Sequence, residues 1–274
     1  MSYKSIFAHA SVGHDNRNVF SVSGQLAELF GAQITGISGA RLTRPFSEVP
    51  VVADTMQYER EAAEKALSRA EQDFRAAFRD SGIKLSWRSC CDFWPVADFL
   101  AQEARAADLI VTSPEAGTLL ERLDETHLGP MVLKAGRPVL IVPREHRQLN
   151  LEKVMVAWKD GREARRAVVD ALPLLQKAHN VSVVEVCSPA TVKEAHQRTA
   201  DVAHWLKSHG VTAHGIAEAS QLTDLEGLRA VIRNKGYDLL VAGAYGHTRF
   251  REWTFGGVTM DLLLPGNHCT LVSH

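Results

Sequence analysis

Short runs of apolar, mostly β-branched residues alternate along the chain with longer stretches whose apolar positions recur every three or four residues. The runs predict strands over 4–9, 33–38, 83–89, 108–113 and 138–142, and again over 153–158, 180–186, 211–217, 238–243 and 268–272. The stretches 15–30, 54–80, 94–106, 126–135, 162–178, 190–208, 222–235 and 257–264 have helical spacing. Leu26, Leu29 and Phe30 share one face of the first of these, as Val168, Ala171, Leu172 and Leu175 do in its counterpart. Strands alternating with helices predict an α/β architecture, a doubly wound parallel sheet with helices on both faces.

The pattern occurs twice. Ile6 in KSIFAHA corresponds to Val154 in EKVMVAW at an offset of 148, and GAQITGIS matches HNVSVVEV at nearly the same offset. AADLIVTS then matches GYDLLVAG at 130, and PVLIV matches HCTLV at 130. The shift falls between the second and third strands, where the first half has Gly39 to Asp80 and the second only Cys187 to Ser208. The expected organisation is therefore two tandem domains, 1–148 and 149–274. They are expected to be two separate sheets of one topology packed as an intramolecular pseudo-dimer, with the edge strands 138–142 and 268–272 able to pair across the pseudo-twofold.

Ligands of such sheets bind outside the carboxyl ends of the strands. At that edge of the second half, the apolar run Leu239 to Ala242 ends in Gly243-Ala244-Tyr245-Gly246, and Gly256-Gly257-Val258-Thr259 opens a helix-like stretch. Glycines after a buried strand let backbone N–H groups come close to a ligand, and a helix N-terminus attracts anions. The pattern describes a phosphate cradle made of backbone. Between the glycines, His247, Arg249 and Arg251 add positive charge, and an arginine can pair a phosphate bidentately. Trp253 and Phe255 alternate with those charges as anchors to the core.

The spacing Gly-x2-Gly-x9-Gly at Gly243, Gly246 and Gly256 resembles the nucleotide-binding signature of the universal stress protein family, in its tandem-domain form. The resemblance covers essentially the whole chain and implies Rossmann-like domains of strand order 3-2-1-4-5. It also implies an adenine nucleotide (ATP, ADP or AMP), with Mg as its companion ion. Members that bind ATP usually have Ser or Thr after the third glycine, where this chain has Gly257; Val258 and Thr259 follow it. The missing hydroxyl implies little preference for ATP over ADP or AMP. The family's Asp in the turn after the first strand falls on Asp160, near base and ribose, and the residue lining adenine falls on Val186. Their alternative roles are an N-cap for the helix that follows and a core strand valine.

The equivalent region of the first half has Pro114 and Glu115 in place of a glycine turn. Proline supplies no N–H and a carboxylate repels phosphate, so this half is expected not to hold a nucleotide in the same way. Its segment 40–80, with Arg41, Arg44, Pro45 and Phe46 ahead of an Ala/Glu/Arg-rich helix, reads as a cover over a cleft or partner, or as a solvated face.

Composition narrows the classes. With 31 basic and 32 acidic residues the formal net charge is −1, which gives no field favouring nucleic acid. The absence of long apolar stretches and of a signal-peptide pattern predicts a cytoplasmic protein that does not engage a membrane. Cys90, Cys91, Cys187 and Cys269 form no CxxC pair and are expected to be free thiols. None of the twelve histidines has metal-ligand spacing, and GxxxxGK[ST], GxSxG and HExxH are absent, so no catalytic or metal residue is assigned. Three functions stay open: a stress-response regulatory module that binds an adenine nucleotide, with at most slow ATP hydrolysis; a protein–protein scaffold of the same fold; and, more weakly, an enzyme acting on an adenylated substrate. The partners left open are a second copy of the chain and a regulatory protein.

Overall fold

A computed structural model describes residues 2–43, 53–114, 128–222, 224–244 and 268–274. The first half contains β1 (Ser5–His9), α1 (Arg17–Phe30), β2 (Gln33–Arg41), α2 (Ala53–Ala77), β3 (Leu85–Asp92), α3 (Val96–Glu103), β4 (Leu109–Thr112), α4 (Leu128–Ala135) and β5 (Val139–Ile141). The second contains β6 (Lys153–Ala157), α5 (Arg162–Leu175), β7 (Asn180–Cys187), α6 (Val192–Ser208), β8 (Ala213–Ala219), α7 (Asp224–Lys235), β9 (Leu239–Gly243) and β10 (Cys269–Ser273). All ten expected strands are present, and the expected helix 257–264 lies outside the described residues. β2 runs on through Gly39, Ala40 and Arg41 because their backbone finds ladder partners in Cys90, Cys91 and Asp92 of β3. An apolar count cannot register that pairing.

Within each half the strands are parallel, in the order 3-2-1-4-5 expected for both. The inner strands, buried on both faces, carry near-continuous apolar runs whose neighbours alternate between two cores, while the outer β3 and β8 are only half-buried. Ile6, Ala8, Val154 and Val156 face a core that includes residues of α1, α2, α5 and α6. Phe7 and Met155 face the other, which includes residues of α3, α4 and α7. The repeat extends to hydrogen bonds. Asp108, just before β4, accepts the Lys4 and Ser5 N–H groups at 2.7 and 3.0 Å, and Asp238, just before β9, accepts the Lys153 N–H at 2.8 Å.

The expectation of two separate sheets is corrected. β5 and β10 pair antiparallel, Leu140 against Leu271 and Val139 against Val272, and merge the halves into one ten-stranded sheet. Apart, each half would present an apolar edge with a row of unsatisfied N–H and C=O groups; pairing satisfies both rows. The Tyr3 hydroxyl reinforces the junction by donating to the Asp170 carbonyl at 2.6 Å. Because β5 and β10 run in opposite directions, the carboxyl edges of the two halves lie at opposite ends of the sheet. Among the described residues no helix is long and apolar enough to cross a membrane.

All four cysteines are free, Cys90 and Cys91 half-buried on β3 and Cys187 and Cys269 buried. Burial, aided by Asp238, pushes the Cys269 thiol up to about 12. In the native protein Cys90 and Cys91 are expected to react with a thiol reagent well before the other two, and all four after denaturation without reductant. Two or fewer reactive groups in that assay would mean disulfides. Leu271→Ala is expected to cost about 2–5 kcal/mol, because the side chain is fully buried at the seam. Since both halves share the sheet, denaturant unfolding followed by far-ultraviolet circular dichroism and by tryptophan fluorescence should give one coincident transition; two resolved transitions would show that each half is stable apart.

Candidate functional site

The three described candidate residues of the second half come together at one carboxyl edge. Val186 lies near the end of β7, Asp160 in the turn after β6, and Gly243 at the end of β9, on three adjacent strands. Gly246, His247, Arg249, Gly256, Gly257, Val258 and Thr259 lie outside the described residues, as do Arg251, Trp253 and Phe255.

Gly243 has a packing reason for its lack of a side chain. A Cβ there would lie 2.5 Å from the Glu163 carbonyl carbon, 2.6 Å from the Ala164 nitrogen and 2.8 Å from the Glu163 Cβ. The strand end is thus seated against the first turn of α5, which no other residue permits without a shift. The next N–H, of Ala244, donates to the Ser273 carbonyl at 2.8 Å and is spent on the sheet. The Ala244 N–H is therefore not free to meet an anion.

Asp160 does not cap α5. The N-cap is Gly161 in an extended conformation, with no side-chain cap. Instead Asp160 accepts from Arg165 at 2.6 Å, with both side chains about half exposed. An exposed pair of this kind contributes only about 0–1 kcal/mol, so the carboxylate can exchange its partner at little cost. Val186 is half-buried against α7, where a Cβ on Gly227 would come within 2.6 Å of its Cγ1.

Four further groups at this edge have little sequence signal. Glu163, the second residue of α5, is buried, and its carboxyl is held below the usual range chiefly by a 2.6 Å hydrogen bond from Arg162. Glu185, an acid inside the apolar run of β7, takes two bonds from Arg198 of α6, at 3.0 and 2.5 Å. That acid in NVSVVEVC was the one visible anomaly. The guanidinium of Arg198 is stabilised in its charged form first by Glu185, with lesser contributions from Asp160 and Cys187. Trp158, directly after β6, is buried, its indole nitrogen without a hydrogen-bond partner among the described residues.

The two strand edges differ at corresponding positions of the repeat. The last residues of β1 and β6 are His9 and Ala157, and their neighbours on β4 and β9 are Thr112 and Ala242. In the first half the His9 Nδ1 and the Thr112 Oγ1 are 2.9 Å apart and both side chains are buried; in the second, two methyl groups stand there. One residue further on, Ser113 matches Gly243. The second helical residues, Asn18 and Glu163, also correspond, following the N-caps Asn16 and Gly161. Asn18 donates to the Ser113 Oγ at 2.9 Å and is within 3.0 and 3.1 Å of the Val142 and Pro143 carbonyls. The strand-end positions that carry hydrogen-bonded side chains in the first half are alanines and a glycine in the second, where Glu163 stands in place of Asn18. Among the described residues there is no group of acids, histidines and cysteines arranged to hold a metal.

Gly243→Ala is expected to cost about 1–3 kcal/mol by overpacking against α5. Ser113→Ala, which removes only one partner of Asn18, should cost about 0.5–1.5 kcal/mol. Equilibrium urea denaturation of both variants checks the order, and a neutral Gly243→Ala would mean that α5 does not rest on β9 as described.

No family model matches the chain, and comparison with curated proteins finds no match. Solved structures do match. A universal stress protein from Archaeoglobus fulgidus DSM 4304 aligns with 98% of this chain and 95% of its own, at a TM-score of 0.72 and 14% identity. A provisionally named universal stress protein from Pseudomonas aeruginosa UCBPP-PA14 aligns with 99% of this chain and 93% of its own, at 0.65 and 13%. A protein of unknown function from Pseudomonas aeruginosa PAO1, PA1789, gives 0.63 and 13%, covering 99% and 92%. Identity this low speaks for the fold, and over essentially its whole length the fold of this chain is that of the universal stress proteins.

Proposed function

We propose that the chain is a tandem universal stress protein that binds an adenine nucleotide in its second half and reports the bound state through its surface as a stress-response regulator. The observation that supports this reading is the strand edge at the end of β6 and β9, where Ala157, Ala242 and Gly243 stand in place of the first half's polar side chains and the glycine pattern follows. In this reading 1–148 is a domain whose site is closed by His9, Thr112, Asn18 and Ser113, and 149–274 is the domain that holds the ligand. Asp160 exchanges Arg165 for the ribose hydroxyls, and Val186 forms a wall for the base. Gly246, Gly256 and Gly257 present N–H groups to phosphate, with His247 and Arg249 supplying charge and Val258 and Thr259 opening the helix behind. Mg would travel with the di- or triphosphate, and its coordinating groups would be phosphate oxygens and water. In this reading the chemistry is binding, with at most slow ATP hydrolysis. The composition supports a cytoplasmic setting.

A protein–protein scaffold is the second reading, favoured by Gly257 where ATP-binding members have a hydroxyl. Calorimetric titration with AMP, ADP and ATP separates the two. Each N–H donated to a charged phosphate contributes about 1.5–3 kcal/mol, so Gly246→Val should weaken binding by about tenfold or more. The matching change at Gly117 should leave it unaltered, and Gly257→Ser should raise ATP affinity selectively. If the folded wild type binds none of the three at millimolar concentration, the scaffold reading takes its place.

A further inference from the structure

We propose that Glu163 sets the charge this site accepts, favouring adenosine or a nucleoside monophosphate over a triphosphate. The inference rests on the nucleotide reading of the second half and names the ligand class within it. Its basis is geometric. Glu163 stands directly behind Gly243, with Cβ and backbone both in contact range of the strand end, and its Oε2 is 3.3 Å from where a Gly161 Cβ would be. The carboxylate therefore occupies the corner between the turn after β6 and the end of β9, flanked by two candidate site residues, Asp160 and Gly243.

Three features make the charge effective. Glu163 sits in the first turn of α5, where the helix N–H groups favour an anion, and one of those groups is its own. The positive end of α5 is thus already answered by a protein carboxylate, and a ligand phosphate cannot claim it. The positive groups beside it offset the carboxylate only in part: the Glu163 side chain is 11% exposed and that of Arg162 82%, and His274 makes a smaller contribution. A ligand meets the carboxylate through protein and the guanidinium through water, which screens it. The neighbouring acids are compensated more evenly, Asp160 by Arg165 with both exposed and Glu185 by Arg198 with two bonds. The first half underlines the choice, since the same helical position carries the neutral Asn18.

The experiment measures affinities of adenosine, AMP and ATP, each with and without Mg²⁺, for the wild-type chain and for Glu163→Gln, Glu163→Asn and Glu163→Asp. At an effective dielectric of about 20, a unit charge changes binding about tenfold if the ligand phosphate lies within about 12 Å of it. Wild type should bind AMP about tenfold or more tighter than Mg²⁺-free ATP, and Mg²⁺ should narrow the gap. Either neutral variant should shrink the AMP-to-ATP ratio at least about threefold, while Glu163→Asp, which keeps the charge, should retain it. The Asn variant copies the residue the first half uses, so the test does not depend on one substitution being tolerated. A ratio unchanged in a folded neutral variant that still binds nucleotide overturns the role of Glu163 and leaves the nucleotide reading standing. Failure of every nucleotide to bind wild type overturns that reading, and the inference with it.

Discussion

The antiparallel pairing of Val139–Ile141 with Thr270–Val272 is the contact on which the rest of the architecture depends. Each half winds its own parallel sheet, and a five-stranded sheet of this order ends in a buried apolar strand with one side unpaired. The cost of leaving those backbone groups dry and unsatisfied is large, so each edge needs a partner of the same composition. The tandem chain supplies it from its own second copy. The direction of that pairing then fixes everything downstream, because it turns the two carboxyl edges away from one another. The clefts of the halves cannot share a ligand, and each is shaped by its own strand ends alone.

Freed from a common ligand, the two clefts differ by matched side-chain pairs and not by scattered changes. His9 with Thr112 faces Ala157 with Ala242, and Asn18 with Ser113 faces Glu163 with Gly243. Each member of a pair makes sense only with its partner. A buried imidazole beside an alanine would lose its 2.9 Å contact, and a β-carbon opposite Glu163 would overlap the helix. The Asn18 Oδ1 is buried without a hydrogen-bond partner among the described residues, so the amide is held through its nitrogen alone.

How much of this was legible follows from what each signal measures. The 148 and 130 offsets between like runs carried the topology of both halves, since apolar runs and helical spacing report burial and burial is what the fold repeats. The end of β2 was not legible, because Gly39, Ala40 and Arg41 are held by ladder bonds and not by apolar character. The single sheet was half legible: the pairing of edge strands was expected, but not that it would make one sheet. Asp160 was rightly placed at the edge, yet its capping role failed because Gly161 stands one residue nearer the helix. For the first cleft, sequence pointed to Pro114 and Glu115. Pro114 is described, with its carbonyl accepting from Arg144 at 3.2 Å, and Glu115 is outside the described residues. The residues that fill the cleft are His9, Thr112, Asn18 and Ser113, brought together from β1, α1 and the end of β4, so they leave no single local pattern.

Gly243 shows that a residue singled out by a motif can carry a packing role that the motif does not state. Its position in a glycine series suggests close approach of a ligand to backbone, and its surroundings demonstrate close approach of a helix. The two requirements are linked through α5. Seating the helix against the strand end brings its first turn to the cleft, and with it the turn that carries Asp160 and the buried carboxylate of Glu163. A side chain at 243 would lift α5 and move both acids together, so a loss of binding on substitution there would report the position of the helix as much as contact with a phosphate. The positions that test the cradle itself are therefore those beyond Ala244, where the backbone is no longer committed to β10.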